Sequence, residues 1–199
     1  MSWSGNRQRA FTLVEVLATV AIIVILAGIL IPTIGSAIRK AEEVRAKSEV
    51  MAIESAWKQY FLEYGKWPVD ASTNLMGGGV TYDADETTSA GIEMLEPVVD
   101  LLTGNAVTNM PYQSGIHNPK AQSYMEIPGD SLSQTGAFID PWGSPYKFLL
   151  DTNYDNKIDD VGPSVDAVVR KTVIVWSRGL DGIDSNITNR VDDIRSWSE

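Results

Sequence analysis

The chain has 199 residues, a formal net charge of -10 and no cysteine. That length allows one domain, or one small domain with an extended element. The acidic balance argues against a nucleic-acid partner, because phosphate contacts need positive potential, and the missing thiols exclude disulfides, cysteine zinc sites and thiol chemistry.

A basic leader, MSWSGNRQRA, is followed directly by FTLVEVLATVAIIVILAGILIP. From Val16 to Ile38 there is no charged residue, and as a helix that stretch is long enough to span a hydrocarbon core of ~30 Å. The small residue Ala10 precedes the apolar run, whereas a secretory signal places its cleavage site after it. Hydropathy therefore admits two readings: an uncleaved N-terminal anchor, or a leader cut on the cytoplasmic side that leaves the apolar helix on the mature chain. Arg7 and Arg9 flank one end and Arg39 and Lys40 the other, so charge bias does not orient the segment.

Glu15 is the only formal charge between Phe11 and Pro32. A carboxylate near a helix start suits the dipole, but an unpaired one in hydrocarbon is costly and calls for a partner. No lysine or arginine lies nearby on the same helix. If the chain is cut between Ala10 and Phe11, the new α-amine of a neighbouring copy is the expected partner. The pair would then fix an axial stagger between otherwise featureless helices.

Past Pro32 the pattern becomes AIRKAEEVRAKSEVMAIESAWKQYFLEYGKWP. Val44, Met51, Ile53, Trp57, Tyr60, Phe61 and Tyr64 recur at roughly helical spacing, which predicts an amphipathic helix with one buried face. Gly65 is a C′ stop and Pro68 blocks continuation. One long helix is expected over about residues 12–64, with Gly28 and Pro32 as the places where it can bend. Residues 69–137 read as loops around short elements, with glycines at 77–79, an acidic turn DADE at 83–86 and a single short helix over 92–104. Strands are predicted at PYKFLL (145–150) and TVIVWS (172–177), the latter extended by the preceding AVVRK. The pattern is α+β.

The junction RA–FTLVEVLATVAIIVIL resembles the leader junction of type IV pilins and type II secretion pseudopilins. The resemblance implies that a prepilin peptidase cuts between Ala10 and Phe11 and methylates the Phe11 amine, that Glu15 is the assembly glutamate, and that Pro32 is the proline midway along the hydrophobic helix. The family usually has glycine before the cut, where this chain has Ala10. YFLEYGKWP (60–68), FIDPWGSPYKF (138–148) and WSRGLDGIDSNITNRVDDIRSW (176–197) are similar to segments of the major, G-type pseudopilin. The last of these resembles its calcium-binding C-terminal loop, with Asp181 and Asp193 at acidic positions, although IDSNITNRV replaces the family's glycine-rich middle. Type IV pilins usually tie a C-terminal loop with a disulfide, a variant that the lack of cysteine argues against. The implied fold is pilin-like: a long N-terminal helix, hydrophobic in its first half and amphipathic in its second, packed on a small antiparallel sheet with long loops. Its divisions are a leader at 1–10, a transmembrane and filament-core helix at 11–38 and a head at 39–199.

A second calcium candidate comes from the residues themselves. DTNYDNKIDD (151–160) sets Asp151, Asn153, Asp155 and Asp159 at positions 1, 3, 5 and 9 of an EF-hand-like loop, with the Lys157 carbonyl at position 7. Position 6 is Asn156 rather than glycine and position 12 is Gly162 rather than glutamate. The alternative is an Asp/Asn-rich turn that caps its own backbone. Oxygen-only ligands favour Ca²⁺ over a transition metal. Trp57, Trp67, Trp142 and Trp176 are expected in core or helix–sheet contacts. His117 stands alone, and the glycines at 77–79 lack the lysine of a phosphate loop.

The expected function is that of a structural subunit rather than an enzyme. It would polymerise into a helical filament of identical copies, drawn from the bacterial inner membrane by an assembly platform and a secretion ATPase, with minor pseudopilins as further partners. As a pseudopilin it would drive export across the outer membrane, with a single-pass anchor and a periplasmic head. As an extracellular type IV pilin it would instead serve adhesion, motility or DNA uptake outside the cell. A monomeric membrane-anchored binding module or enzyme is the third reading.

Overall fold

In the computed structural model the described residues are 12–68, 91–105, 118–158, 169–183 and 192–197, with the side chains of 31–33 set aside. The chain divides into two compact units, Met1–Glu42 and Glu43–Glu199. One helix, α1 (Leu13–Tyr64), runs through both, passing Gly28 and Pro32 as a single element. Because Pro32 has no N–H, the carbonyl of Gly28 is released from the helical ladder there. The helix is long and apolar enough in its N-terminal part to cross a membrane, and Leu17, Ile22, Ile25 and Leu30 stand exposed along it. It ends where expected: Gly65 adopts φ +67° and its N–H donates to the Phe61 carbonyl at 2.8 Å, the left-handed C′ geometry that glycine accepts without penalty.

In the second unit, α1 is followed by β1 (Ile92–Glu93), α2 (Glu96–Thr103), a 3-10 turn (Gly129–Ser131), β2 (Lys147–Leu150), β3 (Val173–Ser177) and β4 (Ile194–Arg195). The strands form one antiparallel sheet in the order β1-β2-β3-β4. In the central pair Phe148 faces Val175 and Leu150 faces Val173. Side chains alternate along a strand, and both faces of β3 are covered. Val173 and Val175 join Val50, Ile53, Trp57 and Tyr60 of α1 in the main core, while Ile174 and Trp176 pack with Ile158 and Val169 on the other side. Burial on both faces is why TVIVWS reads as an unbroken apolar run rather than an alternating one.

Three sequence expectations change. The segment 92–104 is not one helix: Ile92 and Glu93 pair with β2, and α2 begins only at Glu96, with a proline in its first turn and Gly104 (φ +77°) at its end. Val169 does not lengthen β3; it forms an isolated antiparallel bridge with Ile158. Val44 and Met51 do not belong to the buried face of α1. Ala46, Val50, Ile53, Ala56, Trp57 and Tyr60 fill it, and Val44 and Met51 stand in solvent. Trp57, Trp67 and Trp176 are core residues as expected, and Trp142 is half-buried.

Candidate functional site

At the N-terminal end of α1, Thr12 and Glu15 hold each other. The Glu15 carboxylate accepts from the Thr12 N–H at 2.9 Å and from its hydroxyl at 2.8 Å, while the Glu15 N–H donates to Thr12 Oγ1 at 3.2 Å. This is a reciprocal capping box, in which a threonine before the helix and a glutamate three residues on satisfy N–H groups that the first turn leaves open. The T-x-x-E pattern ahead of an apolar run is the sequence signal for it, and it gives Glu15 a role in capping its own helix. Ala10 and Phe11 lie outside the described residues; Pro32 lies within α1.

The head is tied to α1 by two carboxylates, the half-buried Glu49 and the buried Glu54. Glu49 accepts from Arg45 Nε at 3.0 Å, Ser131 Oγ at 3.2 Å and the fully buried Tyr146 hydroxyl at 2.5 Å. Burial, helped by the Glu49 carboxylate, pushes the Tyr146 phenol far up, so it stays a donor. One turn further on, Glu54 is clasped by Lys58 at 2.6 Å and by Lys171 at 3.0 and 3.2 Å. Burial alone would raise the Glu54 pKa, but the hydrogen bonds and charges of Lys58 and Lys171 together outweigh it and hold the carboxyl below its ordinary range. Lys171 also donates to the Ser196 carbonyl at 2.7 Å, and Lys47 to that of Arg195. The C-terminal segment is thereby fastened to the helix. Trp197 lies edge-on to Trp176, with centroids 6.1 Å apart.

Asp140, the acidic residue of the DPWG segment, joins that turn to the sheet. Its Oδ1 accepts from the N–H groups of Trp142 at 3.0 Å and Ser144 at 2.9 Å, and its Oδ2 from Ser177 Oγ at 2.5 Å.

The calcium candidates fare differently. In the C-terminal loop Asp181 meets Asp192 rather than Asp193: the Asp181 N–H donates to Asp192 Oδ2 at 3.0 Å, and Asp181 Oδ1 accepts from the Ile183 N–H. Asp193 is ion-paired with Arg195 at 3.1 Å. In the 151–158 loop, Asp151 accepts from the N–H groups of Asp155 and Asn156, Asn153 from that of Asp155, and Asp155 from that of Lys157. Asn156 takes φ +61°, at the position where an EF-hand loop uses glycine. These bonds are those of a self-capping turn. No three acidic or imidazole side chains converge on a metal position among the described residues, which exclude Asp159 and His117.

Residues 5–31 match the family model for the prokaryotic N-terminal methylation motif. The chain is 28% identical over 162 residues to the type II secretion system core protein G of Pectobacterium carotovorum subsp. carotovorum, covering 80% of this chain and 79% of that protein. Over most of its length the chain is thus similar to a type II secretion core G protein, with a pilin-type methylation motif at its N-terminal end. The core protein G of Aeromonas hydrophila is similar to the same extent, 27% identical over 159 residues, with 77% and 80% of the two chains covered. With that of Escherichia coli (strain K12) the likeness is 33% over 63 residues, 32% of this chain and 43% of that one. No solved structure matches. The α+β pattern that the resemblance implies is met by the long helix and four-stranded sheet described above. Sequence reasoning missed the structural carboxylates Glu49, Glu54 and Asp140, whose partners Tyr146, Lys171 and Ser177 are distant in the chain.

Proposed function

We propose that this chain is a structural subunit that polymerises into a type II secretion pseudopilus-like filament driving protein export across the outer membrane. The methylation motif on residues 5–31 carries this reading, supported by the apolar N-terminal part of α1 and the similarity to core G proteins. A prepilin peptidase cuts before Phe11 and methylates its amine. The apolar helix anchors the subunit in the bacterial inner membrane with the head in the periplasm, and an assembly platform, a secretion ATPase and minor pseudopilins act on it there. Calcium enters as an ion held by the C-terminal loop through Asp181 and Asp193 at its two ends. No catalytic step is assigned to the chain.

Glu15 supplies the test, because it caps its own helix and is also the expected partner of a neighbouring α-amine. Glu15→Gln keeps a capping residue at the same position but removes the charge. The variant is expected to insert in the membrane and be cut as the parent is, yet to form no filaments by electron microscopy. Normal filaments from Glu15→Gln would refute charge pairing as the register device.

A further inference from the structure

Two apolar features of the head stand in solvent. The first lies on α1, where Val44, Met51 and Leu62 are 60, 54 and 83% exposed and the Lys58 side chain is 51% exposed. Residues 44, 51 and 58 are spaced by seven and Leu62 follows four later, so at about 3.6 residues per turn they form one narrow stripe. By the same count the stripe is opposite the face that Val50, Ile53, Trp57 and Tyr60 press into the core. The second feature is the loop after β3, where Leu180 and Ile183 are 61 and 63% exposed on either side of the exposed Asp181. This loop is a held knob. Its Asp181 N–H is bonded to Asp192 and its Ile183 N–H to Asp181, and a Cβ on Gly179 would lie 2.2 Å from the Asp192 carbonyl oxygen.

Resting on the filament reading, we infer that the Leu180–Ile183 knob of one copy seats on the Val44–Met51–Lys58–Leu62 stripe of the next. A helical assembly joins two different patches on every subunit, and the head offers two such patches on different elements. Charge selects the pairing. Copies of a chain with net charge -10 repel over most of their surface. The stripe's ionisable group is Lys58, and it belongs to a node in which two lysines share the single carboxylate of Glu54, so the node stays positive. In the calcium-free loop the knob is negative, through Asp181 and the Asp192 carboxylate bonded to its N–H. Apolar side chains flank the charge on both sides, so the contact buries hydrocarbon around one attractive pair, the arrangement that fixes register between partners.

The cysteine-free sequence makes the test clean. Met51→Cys and Ile183→Cys are combined in the full chain, filaments are assembled, and the sample is oxidised and run without reductant. The expected result is a ladder of disulfide-linked dimers and higher multimers. The Ala52→Cys and Ile183→Cys pair, one position off the stripe, should yield at least tenfold less. Adding Glu15→Gln should abolish the ladder along with the filaments. Val44→Cys with Leu180→Cys repeats the measurement if the first pair fails to fold. Filaments that form without a ladder, or with equal ladders from both pairs, overturn the inference and leave the filament reading standing. A stripe shielded from a maleimide probe in filaments but giving no ladder has another occupant, which also overturns it. Unmodified chains that form no filaments overturn the filament reading and the inference with it.

Discussion

Replacing Asp140 by alanine would strip three donors of one acceptor group. Asp140 is 3% exposed, and one of its donors, the Ser177 hydroxyl, sits on a residue with no exposure at all. Water cannot reach that hydroxyl, and its oxygen already accepts from the Gly179 N–H at 3.0 Å, so its proton has nowhere else to go. A stranded buried donor costs about 1–3 kcal/mol. The Trp142 and Ser144 N–H groups lie in a half-exposed turn where water can replace part of what they lose, at about 0.5–1.5 kcal/mol each. The expected loss for Asp140→Ala is about 3–5 kcal/mol, or roughly 8–16 °C in Tm for a domain of this size. Asp140→Asn keeps one carbonyl oxygen for the turn and sets its amide against Ser177, so about 1–2 kcal/mol is expected. The assay is urea unfolding of the full chain in detergent, followed through the buried Trp57 and Trp67. An Asp140→Ala protein within about 1 kcal/mol of the parent, or an Asn variant as damaged as the alanine one, would refute this assignment.

Gly179→Ala is expected to cost at least about 2 kcal/mol, because its φ of +66° and the Asp192 carbonyl leave no room for a methyl group. Faster hydrogen exchange in 192–197 checks it, and unchanged exchange there would contradict it. Acid should loosen the C-terminal segment. The Glu54 carboxyl is held below its ordinary value, so the stability it contributes is full above the unfolded carboxylate pKa and is lost as pH falls through the lower, folded one. The urea midpoint should drop below about pH 4.5 more steeply in the parent than in Lys171→Met; parallel curves would exclude the clasp as the cause. Calcium should raise the thermal midpoint of the full chain over that in chelator, by the equivalent of about 2.7 kcal/mol at a hundredfold excess over Kd, and equal midpoints would remove the ion from the proposal.

What could be read beforehand followed from short-range chemistry. The end of α1 at Gly65 and the strands at 147–150 and 173–177 were legible because stop signals and clustered β-branched residues act locally. The two-residue strands β1 and β4 carry no period of their own and exist because β2 and β3 offer edges to pair with. Val44 and Met51 fit a helical spacing, but spacing alone does not say which of two apolar stripes faces the sheet. The larger aromatics Trp57 and Tyr60 decide it, with Trp57 stacked 4.8 Å from Phe148. The T-x-x-E capping box at Thr12 and Glu15 is equally local but goes unread in the sequence, where Glu15 figures only as favoured by the helix dipole and in need of a distant partner. The partners of Asp140, Glu49 and Glu54 were not legible, since Ser177, Tyr146 and Lys171 lie 37, 97 and 117 residues away in the chain.

The fastening of β4 and Ser196 to α1 has a consequence for when the head can form. Synthesis delivers the amphipathic half of α1 first, with Ile53, Trp57 and Tyr60 bare. The strands that cover them follow roughly a hundred residues later, and the segment that closes the edge of β3 comes later still, at 194–197. Until then β3 has an open hydrogen-bonding edge, the kind of surface that recruits other chains. A chain cut short before residue 194 would therefore keep that edge open and be aggregation-prone.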